Sequence, residues 1–205
     1  VKLAASDAGA DDRFGLSVSI SGDTIVVGSY LDDYASCSDC GSAYVFVKPG
    51  GGWCASPPCL AANPLPPSAT LAASDAAGGD GFGSSVSISG TTIAVGASGD
   101  DGGSAYVFER PGGGWAGNLN QTTKLVATDS GLNDLFGAAI AIDGDTVVVG
   151  ANYHDCQGGG NDCGAAYVFT EPVGGWCPSP PCLPASPQPQ AAKLNAFDDA
   201  DSDQF

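Results

Sequence analysis

The chain has 205 residues, 43% of them hydrophobic, with 31 Gly, 14 Pro, 8 Cys and no Met, enough for one domain with a real core or for a repeat array. Its 23 acidic and 6 basic residues give a formal charge of −17, which denies it the basic footprint of a nucleic-acid binder and sets it against an anionic membrane surface. Its hydrophobic share argues against a disordered acidic tail. Asp supplies all of the acids except Glu109 and Glu171. Glu forms helices, whereas Asp, Gly and Pro form turns, so the balance predicts many short strands and many turns. The longest uncharged stretch, residues 49–74, holds six prolines and makes no transmembrane helix. Neither an initiator Met nor a signal peptide is present, and the expectation is a processed product or a window cut from a longer chain.

From its first residues the sequence announces a repeat. Leu3-Ala-Ala-Ser-Asp7 returns as Leu71-Ala-Ala-Ser-Asp75, Leu125-Val-Ala-Thr-Asp129 and Leu194-Asn-Ala-Phe-Asp198. A Phe follows each Asp by seven, at Phe14, Phe82, Phe136 and Phe205, and the first three are followed by Gly. Ser17-Val-Ser-Ile-Ser21 then reads as a strand with one face more buried than the other. Its equivalents are Ser85-Val-Ser-Ile-Ser89 and Ala139-Ile-Ala-Ile-Asp143. The Gly22-Asp23 pair predicts a tight hairpin of primed type, as do Gly90-Thr91 and Gly144-Asp145. Thr24-Ile-Val-Val-Gly28, Thr92-Ile-Ala-Val-Gly96 and Thr146-Val-Val-Val-Gly150 are continuously apolar and β-branched, which predicts burial on both faces and an innermost place. A third strand follows at Ala43-Tyr-Val-Phe46, Ala105-Tyr-Val-Phe108 and Ala166-Tyr-Val-Phe169. Nine residues beyond each Tyr stands a Trp, at Trp53, Trp115 and Trp176. The Lys-Leu segment is the fourth strand. No stretch has a 3.6 period, so the fold class is all-β. The repeats run over 1–69, 70–122 and 123–191, with a partial copy at 192–205.

A four-stranded antiparallel sheet cannot bury both faces alone, and stacking such sheets around an axis gives a β-propeller. The pattern Phe-Gly-x-Ser-Val, Val-Val-Gly-Ala/Ser and Gly-Ser-Ala-Tyr-Val-Phe resembles the FG-GAP repeat, the blade unit of integrin-α-type propellers. The resemblance covers essentially the whole chain. It implies extracellular propellers, usually of seven blades, that serve adhesion and ligand binding. Integrin-type blades often carry a calcium loop before the Val-Gly-Ala strand. Here that loop has shrunk to Ser21-Gly-Asp-Thr24 and its equivalents, so the resemblance brings no calcium to those positions.

Propellers close with four to eight blades, and this chain supplies three and part of a fourth. Further blades of a longer chain, other copies of itself, or an open filament completed by strand addition would each cover the ends. An isolated monomer with two unpaired edges is the least expected state.

All eight cysteines fall in close pairs: Cys37/Cys40, Cys54/Cys59, Cys156/Cys163 and Cys177/Cys182. Long loops carry them and the short-looped second repeat has none, as expected of staples. Pairing within each loop predicts four disulfides and an oxidising, extracellular setting. Zinc fits poorly, because only Cys37-x-x-Cys40 has ligand spacing. A redox Cys-x-x-Cys would open a helix, and none is expected here.

Asp199, Asp201 and Asp203 have an oxygen-rich spacing able to hold calcium. Gln204 stands where a calcium loop turns on Gly, and we favour a turn in which Asp side chains cap backbone N–H groups. The same reading applies to the pairs Asp7/Asp12, Asp75/Asp80 and Asp129/Asp134. Asp32, Asp33, Asp100, Asp101, Asp155 and Asp162 crowd one end of the blades and read as solvated turn residues. His154, the single His, reads as an exposed loop residue without a catalytic role. The three Trp residues recur at one place and read as packing rather than as sugar platforms. Asn120-Gln-Thr122 is a glycosylation sequon. The Ser/Pro loops 54–68 and 177–189 are spacers or carriers of O-linked sugars.

No Gly-x-Ser-x-Gly elbow, P-loop lysine, zinc-binding His pair or Glu pair occurs, so no enzyme activity and no obligatory cofactor are expected. The expected function is a structural or adhesive extracellular repeat protein. The alternative is a propeller that binds a protein or glycan, with or without calcium, as a module of a larger surface protein or enzyme.

Overall fold

A computed structural model describes residues 1–33, 37–53, 64–155, 162–176 and 188–195. Each repeat builds one antiparallel sheet, whose fourth strand is supplied by the opening residues of the repeat that follows. The first contains β1 (Val18–Ser21), β2 (Thr24–Ser29), β3 (Ser42–Val47) and β4 (Ala69–Ala72). The second contains β5 (Phe82–Ser89), β6 (Thr92–Ala97), β7 (Ser104–Glu109) and, after β8 (Gly117–Asn120), β9 (Thr123–Leu125). The third contains β10 (Phe136–Asp143), β11 (Thr146–Ala151), β12 (Ala165–Thr170) and β13 (Ala192–Leu194). The described residues contain no helix.

The hairpins fall where the turn residues put them. Ser21 faces Thr24 across Gly22-Asp23, and Gly22 takes φ 55°, a conformation open to glycine at no steric cost. The Phe-Gly pairs of the second and third repeats sit at bulges, where the register slips between Phe82 and Ser85 and between Phe136 and Ala139. The bulge turns the Phe ring onto its own sheet. Phe82 packs on Tyr106 and Phe108 at centroid distances of 5.5 and 5.9 Å, and Phe14 and Phe136 repeat the arrangement.

Two expectations need correction. The Thr24-to-Gly28 strand is not innermost but second, hydrogen-bonded to β1 on one side and β3 on the other. The first sheet is also not limited to four strands. β8, from the second repeat, joins it in parallel with Leu119 opposite Leu71. Leu65 pairs in parallel with Leu3, and Gln188 with Leu125, in the same phase. Each Lys-Leu or Thr-Leu segment, which opens a repeat, is thus overlaid by a segment from the end of that same repeat. Gln121 and Gln190 lock it, each exchanging hydrogen bonds with Ser74 and Thr128 respectively. A sequence read strand by strand hides this crossover because its partners lie at opposite ends of one repeat.

The sheets stack face to face. One apolar cluster joins Val26, Val45 and Leu71 to Val86, Ile88 and Val95, and Trp115 seals it. A second joins Val107 and Leu125 to Phe136, Val147 and Tyr167, and Trp176 seals it. Trp115 and Trp176 are therefore packing residues between sheets, as expected. On the outer side of the first sheet, Leu3, Phe14, Trp53 and Leu65 cover Val27, Tyr44 and Phe46.

Candidate functional site

Two features recur in the repeats: a polar cluster at the loop end of each sheet, and the strand that faces the next sheet.

The loop-end cluster is built on the buried Tyr of the third strand. In the second sheet Lys124 Nζ bridges Asp75 and Asp100 at 2.8 Å each and lies 5.2 Å from the centre of the Tyr106 ring. Burial works against both charges. Hydrogen bonds from Lys124 and Ser104 nevertheless hold Asp100 below its ordinary value, and those to Asp100 and Asp75 raise Lys124. In the third sheet Lys193 Nζ bonds Asp129 at 2.7 Å and His154 Nε2 at 2.7 Å. An ammonium only donates, so Nε2 accepts, and the ring proton lies on Nδ1, which donates to Asp134 at 2.6 Å. In the first sheet the lysine position is Thr70, opposite Tyr44. Tyr44 donates to Asp7 at 2.8 Å and Asp32 at 3.2 Å. With no cation beside it, Asp32 is raised above its ordinary value, first by burial and then by the charges of Asp7 and Asp12.

These contacts correct the histidine reading and, for Asp32 and Asp100, the loop-acid reading, whereas Asp33, Asp101 and Asp155 are exposed as expected. Asp32 and His154 are 3% and 8% exposed and not solvated, because a buried Tyr hydroxyl needs a partner and the loop folds over it. The repeat alignment holds the signal: Asp32, Asp100 and His154 share one position, and Thr70, Lys124 and Lys193 another. Asp12, Asp80 and Asp134 accept from the N–H groups of Gly9, Ala77 and Gly131, the capping role expected of them, whereas Asp7, Asp75 and Asp129 accept from the Tyr44, Lys124 and Tyr167 side chains instead. Among the described residues no group of three or more His, Cys, Asp or Glu side chains is arranged to hold a metal ion. Asp199, Asp201 and Asp203 lie outside the described residues.

Cys37 and Cys40 form a disulfide in the loop before β3, and Cys163, before β12, is also disulfide-bonded. Cys54, Cys59, Cys156, Cys177 and Cys182 lie outside the described residues. Asn120 is an exposed residue at the end of β8.

The second feature was read from the sequence only as a half-buried strand. Its serines are the contact. Ser17 Oγ donates to Gly83 O at 2.7 Å, Ser19 Oγ accepts from Ile88 N–H at 3.2 Å, and Ser21 Oγ from Gly90 N–H at 3.1 Å. Ser85, Ser87 and Ser89 bond Gly137 O, Ile142 N–H and Gly144 N–H in the same way, at 2.6, 3.1 and 3.1 Å. The hydroxyls satisfy backbone groups that point away from the sheet edge. Between the second strand of one sheet and the inner strand of the next the backbones nearly touch: a Cβ on Gly28 or Gly96 would overlap the carbonyl of Gly83 or Gly137. Gly150, the third equivalent, meets only Ala139 of its own sheet.

The opposite face of each inner strand carries the apolar pair. Val86 and Ile88 are 7% and 6% exposed under the first sheet, whereas Val18 and Ile20, with no described residue above them, are 65% and 63% exposed. With Ile25 and Ser19 they line a shallow apolar hollow. On the far flank, Ala139, Ile140, Ala141, Val148, Gly150 and Ala166 line another.

Four-stranded antiparallel sheets, stacked face to face through their inner strands and leaving two open flanks, define a propeller-type blade array. The FG-GAP repeat family model matches residues 1–46, 68–108 and 119–169, and the chain belongs to that family. No curated protein matches the sequence. Among solved structures it is similar to the computationally designed Ika4 protein, at 14% identity and a TM-score of 0.43 over 81% of this chain and 71% of that one.

Proposed function

We propose that this chain is a non-catalytic building unit of an extracellular, propeller- or filament-like scaffold, whose flanks are covered by further blades of a longer chain or by other copies. One observation carries the reading. The Val-x-Ile pair that is covered in the second repeat stands bare in the first, and apolar surface of this kind marks an interaction site. FG-GAP repeats are typical of extracellular proteins, and the Cys37–Cys40 disulfide suits an oxidising compartment. No described helix is long and apolar enough to cross a membrane. The non-catalytic part rests on the loop ends, where the Tyr, Asp, Lys and His side chains are engaged with one another.

Sedimentation velocity and negative-stain microscopy of the native material test the proposal. Stacked or ring-shaped particles larger than three blades are expected. Compact monomers of this chain alone, with no binding of an apolar dye at the flanks, overturn it.

A further inference from the structure

The two open flanks differ in chemistry, and the difference specifies the neighbour. At both internal junctions the preceding sheet presents three hydroxyls to the following one. They meet the carbonyl of the Phe-Gly glycine, the N–H of the Ile, and the N–H of the turn glycine. In the first sheet the same three groups are Gly15 O, Ile20 N–H and Gly22 N–H. Ile20 pairs with Ile25 as Ile88 pairs with Ile93, so its N–H points off the sheet edge as that of Ile88 does. The first flank is thus a receiving surface: an apolar pair, Val18 and Ile20, flanked by one backbone acceptor and two backbone donors in the spacing of a hydroxyl ladder. The third sheet does not offer that ladder. Ala139 and Ala141 stand where Ser85 and Ser87 stand, and only Asp143 keeps an oxygen, one that accepts and does not donate. Stacked on the first flank of a second copy, this strand would serve Gly22 N–H but leave Gly15 O and Ile20 N–H without a protein partner, a costly state for buried backbone groups.

We propose that the first flank, Val18, Ile20 and Ile25, is the docking surface for a preceding FG-GAP repeat whose inner strand carries hydroxyl side chains at three alternate positions, and that the third blade of a second copy of this chain is not that partner. The inference rests on the scaffold reading above and sharpens it. The joint is directional, and simple head-to-tail repetition of this segment is the wrong assembly.

A tandem fusion tests this, with residues 1–191 followed by residues 1–205. The splice is in phase because Ala192-Lys193-Leu194 repeats Val1-Lys2-Leu3, and it places a third blade directly before a first. A second version carries Ala139→Ser and Ala141→Ser in its first half. Both positions are exposed, so the variant folds as the parent does. The expected result is that Val18 and Ile20 of the second half lose reactivity to hydroxyl radicals in the serine tandem and keep the reactivity of the single chain in the unmodified tandem. The Ile20 amide is expected to exchange at least tenfold more slowly in the serine tandem alone. Equal exchange in the two tandems overturns the hydroxyl specification while leaving the scaffold reading intact. Unchanged reactivity of Val18 and Ile20 in both tandems overturns the docking surface and the scaffold reading together.

Discussion

The second and third blades carry nearly the same strand in two environments. Every residue of Thr92–Ala97 is buried, whereas Thr146–Ala151 alternates between buried and half-buried. The strands differ only by Ile93/Val147 and Ala94/Val148, so residue type does not explain the contrast. The second blade has a neighbour on each side and the third has one. The inner strands teach this more sharply still. In β5 the Val and Ile are buried, while in β1 the serines are more covered than the Val and Ile. The apolar face is the bare one because its cover is missing, and the serines are tucked against the next sheet.

Several substitutions break or sharpen this comparison. Ile88→Ala removes a side chain from a closed junction and should cost about 3 kcal/mol. Ile20→Ala, at the same repeat position on the open flank, should cost under about 0.5 kcal/mol. Urea denaturation of the two variants measures the gap, and equal losses would show that the first flank is already covered. Gly96→Ala drives a Cβ into the Gly137 carbonyl and should lose about 2–3 kcal/mol, whereas Gly150→Ala, with only the Ala139 methyl at 3.3 Å, should stay within about 1 kcal/mol. Thermal melts separate the two.

The loop-end clusters give the next effect. Thr70→Lys should supply the first blade with the cation that Lys124 and Lys193 provide elsewhere, gaining about 1 kcal/mol at neutral pH. The sign of the pH dependence follows from the shifts. Asp100 and Asp129 are held below the ordinary 3.8, so their contribution is present above that value and is lost as pH falls through their folded values. Asp32 is raised, so its penalty stands at neutral pH and is relieved as pH falls through its folded value, above 3.8. Thr70→Lys should remove that relief and steepen the loss of stability below pH 5, read from denaturation midpoints across a pH series. An unchanged slope would mean that the lysine does not reach Asp32.

The smallest pair tests the ladder. Ser87→Ala should cost about 1 kcal/mol by orphaning Ile142 N–H. Ala141→Ser, with nothing opposite, should change stability by less than about 0.3 kcal/mol. Amide exchange at Ile142 resolves the first even where the melting curve does not.

Much of the fold was legible because its determinants are local. The alternation of β1, the tight glycine turns, the Phe-Gly motif and the capping aspartates act within a few residues of themselves, and the repeat states them three times. The crossover strand Gly117–Asn120 was not legible, because its pairing with Ala69–Ala72 joins segments at opposite ends of the second repeat and its own residues have little strand character. His154 and Asp32 were misjudged because a loop position says nothing about the Tyr hydroxyl beneath it. The role of the serines was not legible, since a hydroxyl that replaces a backbone partner across a sheet junction looks the same in sequence as one bonded to water.

The sequence by itself determined the blade: which residues form strands, where they turn, and which ring fills each sheet. Only the tertiary structure decided which faces are covered and which hydroxyls meet which backbone groups. Strand formation is governed by alternation and turn chemistry along the chain, whereas burial depends on what lies across a junction, and at the two flanks that neighbour is not among the described residues.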